Sequence, residues 1–316
     1  MMADEVRNDR EDDGVDRRGF LKCMAWAGTG LVWSVGGGIL SSRALGQGRG
    51  GSSGASFSFV QISDSHIGFS KEPNKDVAAT LQVAVDRINA LPERPDLLIH
   101  TGDLTHLSTP REFDAVAEIL KGARVGHIAY VPGEHDIIGD SKYLDRFGAG
   151  TKGDGWYSFG HRGLHFVGLV NVASQGTDKG LGILGEDQLR WLEADLASRG
   201  PSTSVVVFAH VPLMTVYPAW GWGTADGGRA LGLLKRFGSV TVLNGHIHQV
   251  FRKIEGNVTF HTARSTAFPQ PEPGKAAAPG PLKGVPADRL RALLGLTSVS
   301  YVEGKGPLAI VDSALQ

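Results

Sequence analysis

The sequence is almost free of cysteine. Its 316 residues include one, Cys23, which lies near the N-terminus and upstream of the predicted folded domain. A domain without thiols forms no disulfide and cannot supply the cysteine ligands of a structural zinc site. The folded part is therefore compatible with an oxidising compartment, although it does not require one.

The sequence also lacks a surplus of charge of either sign. Lys and Arg total 32 and Asp and Glu total 33, which gives a formal net charge of −1. A basic excess would indicate nucleic-acid binding and an acidic tail would indicate a disordered scaffold, and neither is present. The apolar share of 41% is ordinary for a globular protein of enzyme size.

Residues 1–44 have the pattern of an export signal. Arg17 and Arg18 precede an apolar, glycine-rich run from Cys23 to Leu40, and Ser42-Arg43-Ala44 then offers a small-x-small cleavage pattern. Paired arginines before a modest apolar run are typical of a twin-arginine signal, whose export machinery carries folded proteins to the periplasm or the medium. An uncleaved membrane anchor is the alternative, and the glycines disfavour it because they weaken a membrane-spanning helix.

A Gly/Ser-rich linker at residues 45–56 precedes a single predicted α/β domain at residues 57–316. The domain begins with alternating short strands and amphipathic helices, which predicts parallel strands with helices on their faces. These first elements are the strands Phe57–Ile62, Asp96–His100 and His127–Val131 and the helices Asp76–Leu91 and Pro110–Leu120. The elements predicted next are a hairpin over Trp156–Asn171, a helix at Gly185–Ser198, strands at Val205–Phe208 and Val240–Leu243, a Pro/Gly-rich loop at residues 269–286, and a final helix with a hairpin.

Five of the short apolar strands end in polar clusters. These are Asp64-Ser65-His66, Gly102-Asp103, Gly133-Glu134-His135-Asp136, Ala209-His210 and Gly245-His246-Ile247-His248. Because ligands of α/β sheets bind at the carboxyl ends of strands, we expect these clusters to meet at one rim. So many ionisable groups would repel one another or remain unsatisfied without a cationic partner, such as a pair of metal ions. Imidazole and carboxylate ligands without thiolate suit iron, manganese, zinc or nickel.

The ordered set D-x-H, GD, G-x-H-D, a lone His and G-H-x-H resembles the calcineurin-like metallophosphoesterase family from Phe57 to about Thr266. The resemblance implies a β-sandwich of two mixed sheets flanked by helices (αββα), with a dinuclear metal site at the carboxyl ends of the strands. One metal would be held by Asp64, His66, Asp103 and His248. The other would be held by Asp103, Glu134, His210 and His246, with Asp103 as the bridge.

The resemblance also implies a reaction. Two divalent or trivalent metal ions would hold a hydroxide that attacks the phosphorus of a small phosphoester, either a diester or a monoester. His135 would donate a proton to the leaving oxygen, and Asp136 would orient the His135 imidazole. The D-x-H motif is similar to that of the cyclic-nucleotide and general phosphodiesterase branch of the family.

Glu134 departs from the family pattern, which has asparagine at this position. A carboxylate coordinates more strongly than an amide, adds a negative charge and offers no N–H donor. Three outcomes are open: an active site that favours a harder or trivalent metal such as iron, a loss of activity on dianionic monoesters, or a site that binds metal and catalyses poorly. Our hypothesis is the first. The alternatives are a catalytically weakened metal-containing binding or sensing protein and a hydrolase of non-phosphate esters.

Other histidines and two tryptophans have less specific contexts. His100, His127 and His165 lie within predicted strands and are expected to be structural, and His161 is expected to face solvent in a hairpin turn. His106 and His261 are interpreted as structural, with a place at the site as the alternative. Trp220 and Trp222 follow His210 on a Gly/Pro-rich loop, where they are candidates for contact with the substrate, with core packing as the alternative.

Overall fold

The computed structural model describes residues 30–36, 39–45, 56–139, 141–172, 180–302 and 307–316. The chain divides into two units, Met1–Ser52 and Ser53–Gln316. In the first unit, β1 (Gly30–Gly36) and β2 (Ile39–Leu45) pair as an antiparallel hairpin. Arg17, Arg18 and residues 46–55 of the predicted linker lie outside the described residues. None of the helices described in the chain combines the length and the apolar character needed to cross a bilayer.

The second unit alternates strands and helices. Its strands are β3 (Ser56–Ile62), β4 (Leu97–His100), β5 (His127–Tyr130), β6 (Tyr157–His161), β7 (Leu164–Gly168), β8 (Ser204–Phe208), β9 (Ser239–Asn244), β10 (Phe251–Glu255), β11 (Val258–Thr262), β12 (Gly295–Val302) and β13 (Ala309–Ala314). Its helices are α1 (Val77–Asn89), α2 (Pro110–Lys121), α3 (Tyr143–Phe147), α4 (Glu186–Ala197), α5 (Gly227–Leu234) and α6 (Ala287–Leu293).

These strands form two mixed sheets. The five-stranded sheet has the order β13-β12-β3-β4-β5, with β3, β4 and β5 parallel and β12 antiparallel to β3. The six-stranded sheet has the order β10-β11-β9-β8-β7-β6, with β7, β8, β9 and β11 parallel. Each parallel series places the carboxyl ends of its strands at one edge of its sheet.

Three apolar layers hold the second unit together. α1 and α2 pack on the five-stranded sheet, where Leu81 and Phe113 are fully buried. α4 packs on the six-stranded sheet through residues such as Leu192. Between the sheets, Phe59 of β3 packs against Phe166 of β7 with ring centroids 5.6 Å apart. This is the predicted sandwich of two mixed sheets flanked by helices, so the fold prediction is confirmed.

Local sequence explains the helix ends. Asp76 caps α1, since its side chain accepts a hydrogen bond from the Ala79 amide at 3.0 Å. Thr109 and Glu112 form a capping box at α2, in which each side chain accepts from the other residue's backbone N–H. Such caps satisfy N–H groups that have no partner within the helix.

Several elements were not predicted from the sequence, among them β10 and α5. β10 is an edge strand whose residues are mostly exposed, with Ile254 70% exposed, so it lacks the apolar pattern of a buried strand. α5 begins with Gly227-Gly228, residues that disfavour helix in isolation. In both cases packing against neighbouring elements overrides the local preference.

Candidate metal centre

The five polar clusters meet where the carboxyl ends of the two sheets adjoin. Three clusters follow β3, β4 and β5 of the five-stranded sheet, and two follow β8 and β9 of the six-stranded sheet. The site is therefore shared by two sheets. A hydrogen bond from the Ala209 amide to the Leu243 carbonyl (3.1 Å) and one from the Asp64 amide to the Gly102 carbonyl (3.0 Å) tie adjacent strand ends together.

The backbone adopts left-handed conformations at most of the candidate ligands. Positive φ values occur at Asp64 (54°), His66 (42°), Asp103 (53°), His246 (69°) and His248 (55°). Non-glycine residues seldom adopt this conformation, and each instance costs on the order of 1 kcal/mol or more. The concentration of this strain at the strand ends marks a functional site, because the sharp turns direct side chains of different strands to one point.

Two glycines leave the space that the ligands occupy. A Cβ at Gly102 would lie 2.5 Å from Nδ1 of His210. A Cβ at Gly133 would overlap the carboxylate of Asp103. Gly102 also has a φ of 96°, a backbone conformation that residues other than glycine rarely adopt.

The first group of donor atoms comes from Asp64, His66, Asp103 and His248. Nε2 of His248 lies 3.2 Å from Oδ1 of Asp64 and 3.3 Å from Nε2 of His66. Nε2 of His66 lies 3.4 Å from Oδ2 of Asp103. These four residues are almost fully buried.

The second group comes from Glu134, His210 and His246, with Asp103 again adjacent. Oε2 of Glu134 lies 2.8 Å from Nε2 of His210, and Oε1 lies 2.9 Å from Nδ1 of His246. Oδ2 of Asp103 is 3.5 Å from Nε2 of His210, so one carboxylate oxygen contacts imidazoles of both groups. The structure thus brings all seven predicted ligand residues together and places Asp103 between the two groups.

Backbone carbonyls fix the orientation of two imidazoles. Nδ1 of His210 bonds to the Thr101 carbonyl at 2.7 Å, and Nδ1 of His248 bonds to the Phe268 carbonyl at 2.6 Å. A carbonyl only accepts, so Nδ1 carries a proton and Nε2 is the nitrogen directed to the centre. Histidines that bind metals are commonly held in this way.

The donor atoms fit cations. Oε2 of Glu134, Nε2 of His210 and Nδ1 of His246 are buried and, within the described chain, have no hydrogen-bond partner of suitable geometry. Each of the two groups also offers at least three donor atoms within 4.8 Å of one another. Carboxylate and imidazole donors without thiolate suit the borderline and hard metals named above.

The protonation states of the carboxylates and of His66 also suit cation binding. Burial alone would raise the pKa of Asp64 and of Glu134, but the adjacent histidines outweigh burial and lower both pKa values below the ordinary range. Burial lowers the pKa of His66 to about 3, which leaves this imidazole neutral. Ionised carboxylates and neutral imidazoles are the forms that bind metals.

Exposure shows from which side a substrate approaches. The side chains of Asp64, His210 and His248 are at most 1% exposed, whereas those of Glu134 and His246 are 24% and 12% exposed. His135, which is half-buried, follows Glu134 in a short 3₁₀ turn at Glu134–Asp136. The open face of the centre is therefore bordered by Glu134, His135 and His246.

His135 is held by His106. Nδ1 of His135 bonds to the His106 carbonyl at 2.8 Å, and the two rings stack at 4.9 Å with an interplanar angle of 15°. The His135 amide also donates to Oδ1 of Asp103 at 2.9 Å. Burial lowers the pKa of His135, but the carboxylates of Asp103 and Glu134 and the His106 carbonyl outweigh burial and raise it. His106 thus lines the site, which the sequence analysis treated only as the alternative.

Asp136 does not have the predicted contact with the His135 imidazole. Its Oδ1 accepts from the amide and hydroxyl of Thr105, both at 2.8 Å. Its Oδ2 accepts from the Gly133 amide at 2.9 Å and the Leu104 amide at 3.0 Å. Because backbone donors occupy both oxygens, Asp136 fixes the turn that carries Glu134 and His135, and the expectation that it orients the imidazole is corrected.

The loop that carries Trp220 and Trp222 is held together by contacts among its own residues. Trp222 is 1% exposed, and its ring packs edge-on against that of Trp220 with centroids 5.1 Å apart. The Val216 amide donates to the Trp222 carbonyl at 2.8 Å. Trp222 is therefore a core residue and cannot contact a substrate, which corrects that part of the sequence interpretation. Trp220 is partly exposed.

The remaining histidines are not members of the two donor groups. His100 is buried and bonds Ser65 at 2.8 Å, His165 pairs with Asp195 at 2.6 Å, His261 pairs with Asp312 at 3.0 Å, His161 lies 3.5 Å from Asp96, and His127 is exposed on β5. Pairing with serine or aspartate thus gives Nε2 of three buried imidazoles a partner other than a metal.

Metal binding is expected to stabilise the fold. Addition of Zn²⁺ or Mn²⁺ to chelator-treated protein should raise Tm, since a ligand that binds only the folded state stabilises that state. Asp103→Asn removes the shared carboxylate and should abolish most of the rise. Asp195→Asn alters the His165 pair outside the centre and should retain the rise. An equal rise in both variants, measured by calorimetry, would contradict the assignment of the centre.

Comparisons with known proteins agree with this geometry. Residues 57–250 match the family model described as calcineurin-like phosphoesterase. A 3′,5′-cyclic-nucleotide phosphodiesterase of Nostoc sp. is 27% identical over 67% of this chain and 79% of its own length. A glycerophosphodiester phosphodiesterase of Enterobacter lignolyticus is 27% identical over 67% of this chain and 78% of its own length.

Solved structures show the same fold. A dimetal phosphatase from Danio rerio superimposes with a TM-score of 0.59 at 17% identity, covering 81% of this chain and 98% of that chain. A purple acid phosphatase from yellow lupin superimposes with a TM-score of 0.56 at 14% identity, covering 83% of this chain and 52% of that chain. With a family match over more than half of its length, the chain belongs to the calcineurin-like phosphoesterase family and is a metal-dependent phosphoric ester hydrolase.

Proposed function

We propose that this chain is a dinuclear-metal phosphodiesterase in which Glu134 is a ligand of the second metal. The observation that carries the proposal is the position of the Glu134 carboxylate, whose two oxygens lie 2.8 and 2.9 Å from His210 and His246. The matched cyclic-nucleotide and glycerophosphodiester phosphodiesterases support a diester as the substrate. The extra carboxylate favours a hard or trivalent ion such as iron at the second position.

Charge also favours diesters over monoesters. Glu134 adds a third carboxylate to those of Asp64 and Asp103, where the family asparagine would be neutral. Two unit charges about 5 Å apart interact by about 3 kcal/mol at an effective dielectric constant of about 20. A dianionic monoester experiences this repulsion about twice as strongly as a monoanionic diester, so Glu134 is expected to select against monoesters.

The residues around the centre have separate tasks in hydrolysis. When bound, the metal ions supply a water-derived nucleophile at neutral pH and stabilise charge on the phosphoryl oxygens. Asp103 contacts both donor groups and so fixes their separation. His135 keeps Nδ1 on the His106 carbonyl, which leaves Nε2 to donate a proton to the leaving alcohol oxygen.

The effect of replacing His135 on kcat is expected to depend on the leaving group. His135→Ala should lower kcat by about 100- to 10,000-fold for a diester with an alkyl alcohol, which leaves only after protonation. The loss should be much smaller for bis(p-nitrophenyl) phosphate, because nitrophenolate leaves without a proton. His161→Ala, at a hairpin turn, serves as the control and should match the parent for both substrates. Equal losses on both substrates in His135→Ala would rule out the role as general acid.

Glu134→Asn tests the role of the carboxylate. The variant should show a lower kcat/KM ratio of diester to monoester and a reduced content of trivalent iron after purification, with Glu134→Gln as the second neutral variant. Metal content is measured by plasma mass spectrometry and the ratio with paired nitrophenyl substrates. A large gain in diester turnover in Glu134→Asn would mean that the native residue impairs the site, and the hypothesis would be abandoned.

The alternative function is a weakened metal-containing binding or sensing protein, and Glu134 is the feature that favours it. This alternative predicts full occupancy of both metal positions with no turnover of diesters or monoesters. Phosphate-ester assays on protein of measured metal content separate the two functions. Hydrolysis of a carboxylic ester without phosphoester turnover would instead indicate an esterase at the same centre.

We also propose that the protein is exported by the twin-arginine route and cleaved after Ala44. The support is the sequence of residues 1–44, with Arg17-Arg18 before the apolar run. Replacing both arginines with lysine should leave the protein in the cytoplasm, as followed by cell fractionation. Uncleaved protein in the membrane fraction of the parent would favour the anchor instead.

A further inference from the structure

A cleft of about 930 Å³ adjoins the metal centre. His248, a candidate metal ligand, forms part of its lining together with Gln249, Val250 and Arg264. Much of the remaining wall comes from residues of the 269–283 segment, and Leu293 of α6 completes it. A cavity of this volume accommodates an organic molecule of moderate size. The cleft and the metal centre thus share His248.

Hydrogen bonds join the 269–283 segment to the metal centre. Nε2 of Gln270 donates to the His246 carbonyl at 3.0 Å. Nε2 of Gln249 donates to the Pro271 carbonyl at 2.7 Å and to the Gln270 carbonyl at 3.1 Å. Since Gln249 directly follows His248, two candidate ligands and one wall of the cleft are fixed to each other.

The segment is also closed on itself. The Leu282 amide donates to the Pro269 carbonyl at 2.8 Å, and the Gly280 amide donates to Oε1 of Gln270 at 3.1 Å. These bonds bring the two ends of the segment together, as in a compact surface loop. The wall is thus preformed, which lowers the entropy cost of binding a ligand.

The cleft combines positive charge with apolar surface. Its lining holds three cationic side chains, those of Arg264, Lys275 and Lys283, and a single carboxylate, that of Glu272. Val250 and Leu293, both in the lining, are 38% and 39% exposed, which is high for large apolar residues. This composition suits a ligand with an apolar body and a negatively charged group.

We propose that the cleft binds the alcohol portion of the phosphodiester substrate and that this portion carries an apolar body and an anionic group of its own. The inference rests on the proposed phosphodiesterase function and adds the substrate class. A diester of a neutral alcohol would leave the excess of positive charge in the cleft unmatched. Because Glu134 is not part of the cleft lining, a second anionic group bound there avoids the repulsion that disfavours a dianionic monoester.

A matched pair of substrates tests this directly. Phenyl 4-carboxyphenyl phosphate and phenyl 4-carbamoylphenyl phosphate have nearly the same size and differ by one charge at the far end of the alcohol. The metal-loaded parent should hydrolyse the carboxylate diester with about tenfold higher kcat/KM, chiefly through a lower KM. The preference should shrink as salt is added, because exposed charges are screened.

Variants with reversed charge test whether the lysines of the cleft cause the preference for the carboxylate diester. The variant with Lys275→Glu and Lys283→Glu should lose the preference or reverse it, whereas Lys235→Glu, at an exposed lysine after α5, should retain the preference of the parent. 4-Hydroxybenzoate should inhibit the parent more strongly than 4-hydroxybenzamide, and the double variant should lose this difference. These inhibition constants report binding to the cleft without turnover of the inhibitor.

The outcomes separate this inference from the function on which it rests. If the metal-loaded parent hydrolyses neither member of the pair nor bis(p-nitrophenyl) phosphate, the phosphodiesterase function is wrong. If it hydrolyses both members equally and the double variant behaves as the parent, the function stands and the cleft does not bind an anionic alcohol. A preference that Lys235→Glu abolishes as fully as the double variant would also overturn the inference, because the effect would then come from net charge.

Discussion

Three carboxylates and four imidazoles converge on one small volume at the end of the β-sandwich, and this crowding constrains the rest of the second unit. Asp64, Asp103 and Glu134 supply the carboxylates. Several of the donor atoms are buried and, among the described residues, have no hydrogen-bond partner. Buried ionised groups are costly unless they are paired or bind a metal. The left-handed turns, the close glycines and the carbonyl-bound imidazoles all serve to hold donors in this arrangement.

The two sheets together bring the carboxylates and imidazoles to one place. Parallel strands bring Asp64, Asp103 and Glu134 to the end of one sheet and His210 and His246 to the end of the other. The apolar layer between the sheets, which includes Phe59 and Phe166, sets how the two ends meet. Each half of the ligand set therefore depends on a different sheet, and the centre is complete only when the sandwich has formed.

Much of this could be predicted from the sequence, and the reasons for the exceptions are physical. Strands such as Phe57–Ile62 have strong apolar patterns, and the clusters that follow them carry the family motifs, so the seven candidate ligand residues that the structure brings together could be predicted from the sequence. The contacts of Asp136 were not predicted, because hydrogen bonds from Leu104 and Thr105 depend on the tertiary placement of two turns. The burial of Trp222 and the strand β10 likewise depend on packing between distant parts of the chain, which local periodicity does not report.

Glu134 links the site to specificity. Its carboxylate contacts both His210 and His246 and borders the open face of the centre. In the proposed function it therefore affects both the choice of metal and the choice of substrate. The cleft beside His248 is also expected to affect specificity, because its lining carries positive charge and does not include the Glu134 carboxylate. The two features together favour a diester whose second charge is remote from phosphorus.

The most direct test of the central claim is a crystal structure of the metal-loaded protein with anomalous scattering data. We expect two anomalous peaks about 3.5–4 Å apart, with Asp103 between them and a carboxylate oxygen of Glu134 bound to the same ion as His210 and His246. A single peak, or two peaks with the Glu134 side chain directed away from both, would contradict it.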